Sequence, residues 1–221
     1  SESDSGGAIY NEGKIGTISG EFLDNYTKER GWYKVPNILG AAIYNNGTIN
    51  SITGTFKNNS LGPTKYYGGG AIYNKDTIGS ISADFISNSA REKGGAIYNY
   101  GKIPSISGTF EGNKSRYSFG GAIWNSHKID SLTADFKYNE SHNSGGAIYN
   151  GDARMEFGSP EIKSITGNFT GNTAGASGGA IYNAGSGGNG AELTAITGNF
   201  TNNSSGSGFE GGAIFSEGYL K

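Results

Sequence analysis

Cysteine is absent from the 221 residues, methionine occurs once, tryptophan twice and proline four times. Without thiols there are no disulfide staples and no Cys-built zinc or redox centre, although this alone leaves the compartment open. A dominant charge sign is also lacking: 17 Lys and Arg stand against 19 Asp and Glu, a formal charge of -2. That balance removes the electrostatic basis for non-specific binding to nucleic acid or anionic lipid. No apolar run approaches the length of a membrane span, and Ser1-Glu2-Ser3-Asp4 has no hydrophobic signal region. An export signal or membrane anchor is therefore expected to have been removed or to lie outside this chain.

What is abundant is glycine, 40 residues, together with 14 Tyr and 11 Phe. Glycine without a Gly-X-Y period excludes collagen, and regularly placed aromatics argue against disorder, which leaves a fold of tight turns around a thin repetitive core. The period confirms it. GGAIYN or a near copy starts at Gly6, Gly40, Gly69, Gly94, Gly120, Gly145, Gly178 and Gly211, the second copy reading Gly40-Ala41-Ala42. The motif alanines from Ala8 to Ala213 are 34, 29, 25, 26, 25, 33 and 33 residues apart. The longer intervals carry their extra residues in 26–39, 151–161 and 184–192, as surface insertions into a constant coil would.

Between these motifs lies a second block, typified by Ile18-Ser-Gly-Glu-Phe22-Leu-Asp-Asn25. Column by column it runs aliphatic, Ser or Thr, Gly or Ala, polar, Phe: a period of two, which specifies a strand with one face inward. Stacked at ~4.8 Å, the coils turn Phe22, Phe56, Phe85, Phe110, Phe136, Phe169 and Phe200 into one interior ladder. Three residues later Asn25, Asn59, Asn88, Asn113, Asn139, Asn172 and Asn203 are expected to form a corner ladder, with asparagine taking the left-handed geometry of the turn. A third strand is expected around the aliphatic column Ile15, Ile49, Ile78, Ile103, Ile129, Ile162 and Leu193.

In GGAIYN the favoured facing is Ile and Asn inward, which puts Tyr10, Tyr44, Tyr73, Tyr98, Trp124, Tyr149, Tyr182 and Phe215 outside; the reverse facing stays open at this level. The fold class is therefore all-β: a right-handed parallel β-helix (β-solenoid) of about seven coils of ~25–34 residues, three short strands per coil. Residues 1–221 read as a single β-helix domain, a fragment or stackable module of a longer surface protein.

Eight GGAI-type and seven FxxN motifs in strict alternation, from Gly6 to Ser216, resemble the paired repeats of the chlamydial polymorphic membrane proteins. The resemblance implies an exported autotransporter passenger on a Gram-negative cell surface, acting in adhesion to a host or neighbouring cell through a protein or glycan partner. No cofactor and no catalysis are expected. The candidate binding surface is the Tyr/Trp column with Trp32 and Tyr33 in the 26–39 insertion. The alternative is a subunit stacking head to tail into an extracellular filament.

Other chemistries find less support in the residues. Asp84 and Asp135 share an outward column two coils apart, about 9–10 Å, near the upper limit for an inverting carboxylate pair. Thr109 lies between them, however, and any soluble strand needs polar residues facing water. The column from Ser19 to Thr197 resembles the hydroxyl rows of ice-binding solenoids, but its neighbours include Glu21, Asp84 and Asp135, which hold ordinary hydration water. His127 and His142 are expected in loops, with no acidic cluster at metal-ligand spacing. Gly185 to Gly190 reads as a flexible loop, and sequons such as Asn25-Tyr-Thr27 and Asn168-Phe-Thr170 arise from the repeat itself.

Overall fold

The computed structural model describes residues 5–27, 39–62, 68–151, 159–185 and 190–220. Within them the chain is an all-β parallel solenoid with no helix. The expectation of about seven coils with three strands each holds. Eight strands, from Ile9–Asn11 to Ile214–Ser216, make the first sheet. Ten-residue strands such as Lys14–Leu23 and Lys128–Lys137 make the second, a long sheet of ten strands in which the later coils split in two. Two-residue strands from Tyr26–Thr27 to Thr173–Ala174 make the third, six strands deep.

Register is uniform, motif residue over motif residue. Ile9 pairs with Ile43 and Asn11 with Asn45, while Ile18 pairs with Ile52 and Phe22 with Phe56. The third strand is not where the sequence pattern put it. Ile15 belongs to the long strand itself, and the third strand instead follows the corner asparagine, at Tyr26, Ser60, Ser89, Lys114, Glu140 and Thr173. The reason is an interruption of alternation. Ile15 and Ile18 both pack into the core with two outward residues between them, and pairing resumes on either side of the skipped pair Gly16 and Asn50. Every coil bends at the same place, so the bend costs no register.

The core is a set of columns. The predicted phenylalanine ladder is formed, with neighbouring ring centroids 4.6–4.9 Å apart and planes within 10°. Phe56, Phe85, Phe110, Phe136 and Phe169 are fully buried, and so are the Ile columns beside them. Each such side chain contributes roughly 1.5–3 kcal/mol on burial, with further stabilisation from ring stacking.

The corner asparagines also ladder as expected. Asn113 is representative: its Nδ2 donates to Asn139 Oδ1 at 3.0 Å and to the Phe85 carbonyl at 2.9 Å, and its Oδ1 accepts from the backbone N and Nδ2 of Asn88 at 3.0 Å each. Both donors and both lone pairs are used, in a fully buried position. The asparagines themselves do not take the left-handed geometry; the residue before them does. Asp24, Asn58, Ser87, Gly112, Tyr138, Gly171 and Asn202 have φ between 52° and 63°. The turn is made one residue early, which frees the following amide to point inward. Small and turn-forming residues dominate that column, and Tyr138 is the exception.

A second amide ladder runs through the first sheet. Asn11, Asn45, Asn74, Asn99, Asn125 and Asn150 each donate Nδ2 to the Oδ1 of the next asparagine at 2.7–2.9 Å, and Asn183 ends the row by donating to Ser216 Oγ at 3.0 Å. Ile and Asn inward is thus the facing adopted. The glycine pair of GGAI has two separate causes. The first glycine has φ of 59–82° in every copy, a conformation that only glycine adopts without strain. At the second, in Gly70, Gly95, Gly121, Gly146 and Gly179, a Cβ would run into the glycine carbonyl of the next coil and the backbone of its third strand.

Two stability measurements test these assignments. Asn113→Ala removes four hydrogen bonds and leaves buried partners unpaired, so urea denaturation should show a loss of about 3 kcal/mol; a loss under ~1 kcal/mol would refute the buried ladder. Tyr138→Asn relieves left-handed strain at an exposed residue and should raise stability by about 1 kcal/mol.

Candidate binding surfaces

With the interior filled by ladders, chemistry is left to the outer faces. The aromatic column lies outside the coil, as the favoured facing requires, yet most of it is covered. Tyr44, Tyr73, Tyr98 and Trp124 are only 2–7% exposed and form a second apolar cluster with Leu39, packed by Tyr100, Phe119 and Tyr149. Phe119 sits edge-on to Trp124 at 5.4 Å and the Lys93 ammonium lies 4.1 Å from the Trp124 ring centroid. Trp124 Nε1 donates to Ser126 Oγ at 2.7 Å. These four rings offer no free face to a sugar; Tyr10, 54% exposed, does, and Tyr149 and Tyr182 are half-buried. The Tyr182 hydroxyl donates to Glu217 at 2.9 Å, and burial together with this bond pushes its ionisation well above the ordinary tyrosine range. Trp32 and Tyr33 lie outside the described residues.

The long sheet turns columns of Ser and Thr outward, Ser19 to Thr197 and beside it Thr17, Ser51, Ser80, Ser105, Ser131 and Ser164. Asp84 and Asp135 stand in the next outward column, but their oxygens hold the coil above. Asp84 Oδ1 accepts from the Thr109 backbone N at 3.0 Å, and Asp135 Oδ1 accepts from the backbone N and Nδ2 of Asn168 at 2.9 and 3.0 Å. A carboxylate takes this post where the Gly or Ala column before it leaves an amide of the neighbouring coil without a strand partner.

At the start of the long sheet Lys128 bridges Glu161 at 2.9 Å and Lys163 bridges Asp130 at 2.7 Å. The Lys163 bond, with Lys128 and Lys102 near by, lowers the Asp130 carboxyl below the usual carboxylate range. His127 lies in the adjacent bend, its pKa lowered by burial and by Lys128. His142 lies in another bend, 6.3 Å from the Tyr117 ring. No group of three or more His, Asp or Glu placed to hold a metal ion occurs among the described residues.

Sequence reasoning passed over a group of aromatic and basic side chains in the turn after the third strand. Tyr117 is 61% exposed, with Arg91, Arg116 and His142 around it. These turns vary from coil to coil, so the periodic pattern that reveals the core is silent about them.

Covered rings make a direct prediction. In a Trp32→Phe background the remaining tryptophan, Trp124, should emit at short wavelength and resist iodide quenching; ready quenching in the folded state would refute the covered column.

Among the described residues no helix is long and apolar enough to cross a membrane, a statement that does not bear on β-barrels. Neither the curated proteins nor the solved structures contain a match to this chain. A family model does match, the Chlamydia polymorphic membrane protein repeat, at residues 82–100, 107–126, 133–151 and 166–184. Each match runs from the Ser/Thr next to a core Ile or Leu of one long strand to the GGAI-type motif that follows, and so takes in the end of that strand, the third strand and the first-sheet strand. That repeat on a parallel solenoid fits a surface-exposed, passenger-like protein. Four times between residues 82 and 184, the chain carries the repeat of the Chlamydia polymorphic membrane proteins.

Proposed function

We propose that this chain is the adhesive stalk of a cell-surface protein of autotransporter-passenger type, attaching to a protein or glycan on a host or neighbouring cell. The observation that carries this reading is the repeat itself, built into a solenoid whose interior columns are filled by Phe, Ile and Asn. Such an interior has no room for a substrate, so specificity falls to the outer faces and to the insertions that lengthen three coil intervals. Attachment rather than catalysis also accords with the engagement of Asp84 and Asp135 in holding neighbouring coils. The long sheet, paired in register from coil to coil, accords with a stalk.

The insertion in 28–38 is the first to test, because it separates a third-strand residue, Thr27, from the next glycine turn by more chain than any other coil uses there. The sixth coil spans the same step, Ala174 to Gly178, with three residues. Replacing 28–38 by Gly-Ala while keeping Leu39 should therefore preserve the far-UV β signal. Beads coated with the parent chain should attach to cultured epithelial cells, and the shortened variant should attach several-fold less. No attachment by the parent chain would remove the adhesive reading, whereas equal attachment by both would move the contact away from this insertion.

A further inference from the structure

Between the third sheet and the glycine pair, residues 91–93, 116–119 and 142–144 of three successive coils form a hydrogen-bonded ledge. Arg116 N donates to the Ala90 carbonyl at 3.0 Å, Tyr117 N to Arg91 at 2.8 Å, His142 N to Ser115 at 3.0 Å and Asn143 N to Ser118 at 2.8 Å. The side chains are therefore presented from backbone fixed coil to coil. On this ledge the Arg91 guanidinium carbon lies 5.1 Å from the Tyr117 ring centroid, and the His142 ring follows at 6.3 Å, tilted by 56°. Arg116 stands beside them, its Nη2 donating to Ser89 Oγ at 3.3 Å.

Core packing does not account for this arrangement. Tyr117 is the second most exposed large hydrophobic side chain of the described residues, and its column holds Asn143 and Ala176 in the next coils. A guanidinium near an aromatic face gains cation–π attraction, and its planar fork of N–H donors matches a carboxylate or sulfate. Arg116 commits one of five donors to Ser89. Within the ledge Arg91, Lys93 and Arg116 stand against Glu92, and Lys114 near by is balanced by Glu140 at 2.7 Å, so positive charge is in excess. In a chain of net charge -2 this is a local inversion of sign, with an aromatic ring at its centre.

We propose that the ledge of Arg91, Arg116, Tyr117 and His142 binds an anionic polysaccharide, whose carboxylate or sulfate-ester groups pair with the guanidinium edges while a sugar ring lies against Tyr117. This names a partner class for the adhesive reading and rests on it for its biological setting. Two guanidinium groups on adjacent coils, offset by about one coil spacing of ~4.8 Å, suit a polymer that repeats its charge better than a lone anion.

The test uses the whole chain against immobilised heparin, which is sulfated, hyaluronate, which carries carboxylates alone, and neutral dextran. The parent chain should bind one or both anionic polymers in a salt-sensitive manner and should ignore dextran. Arg91→Gln/Arg116→Gln should weaken binding at least about ten-fold, equivalent to ~1.4 kcal/mol, and Tyr117→Leu several-fold, with unchanged thermal midpoints. Lys14→Gln/Lys57→Gln makes the same charge change on the first two coils and should alter affinity less than two-fold. Binding to heparin alone identifies the sulfate ester; binding to hyaluronate identifies the carboxylate. The proposal is overturned if the parent chain binds neither anionic polymer or if both charge variants lose equally. Cell attachment that persists in Arg91→Gln/Arg116→Gln also counts against the ledge as the contact but leaves the adhesive stalk standing, and polysaccharide binding without cell attachment does the reverse.

Discussion

A primary amide buried in a narrow β-coil must find two acceptors and two donors, and here the amides of the neighbouring coils and the adjoining backbone supply them. Two columns of asparagine meet that condition, one at the corner after each phenylalanine and one at the end of each first-sheet strand. The condition is strict because most of these asparagines are fully buried. An apolar replacement strands the partners on both sides, so the columns constrain residue identity more tightly than the Phe and Ile rows, where shape and volume suffice. In-register stacking is thus enforced by polar groups and stabilised by apolar ones.

From that register the rest follows. Corner amides can face inward only if the chain turns one residue earlier, and the left-handed residues before each asparagine supply the turn. The third strand of each following coil then comes so close to the glycine pair that Gly70, Gly95, Gly121 and Gly146 have no room for a Cβ. The motif that looks like a flexible Gly-rich turn is therefore one of the most tightly packed points of the coil. Aromatic residues outside the coil form a second apolar layer over the first sheet, extending the buried volume beyond the tube itself.

Most of the fold was legible because repetition exposes columns that a single strand would hide. The Phe row, the corner Asn row and the inward Ile and Asn of GGAIYN could each be read by alignment of the chain with itself. The third strand could not, because Thr27, Leu61, Ala90, Ser115, Ser141 and Ala174 share only small or moderate size and burial, not a residue type. The Ile15 column misled for a related reason: two outward residues in succession broke the alternation that marks a continuous strand. The turn geometry at Asp24 and its counterparts was visible in hindsight as a column of Asp, Asn, Ser and Gly, but the neighbouring asparagine is so regular that it drew the assignment to itself. Surface recognition was the least legible part. Facing outward does not mean exposed, as Tyr98 and Trp124 show, and Arg91, Tyr117 and His142 come together only because different residue types occupy equivalent turns.

In parallel sheets wound this way, every interstrand hydrogen bond links one coil to the next, along the direction in which coils succeed each other. A force applied between the two ends of such an array loads its junctions in series, each bearing the full tension. The junctions are not equal in content: those between ten-residue strands carry long runs of bonds, while the later coils, split at Gly167 and Gly198, carry interrupted ones. Under tension the array yields at its poorest junction, releasing one coil's length of chain at a time while the remaining coils stay wound.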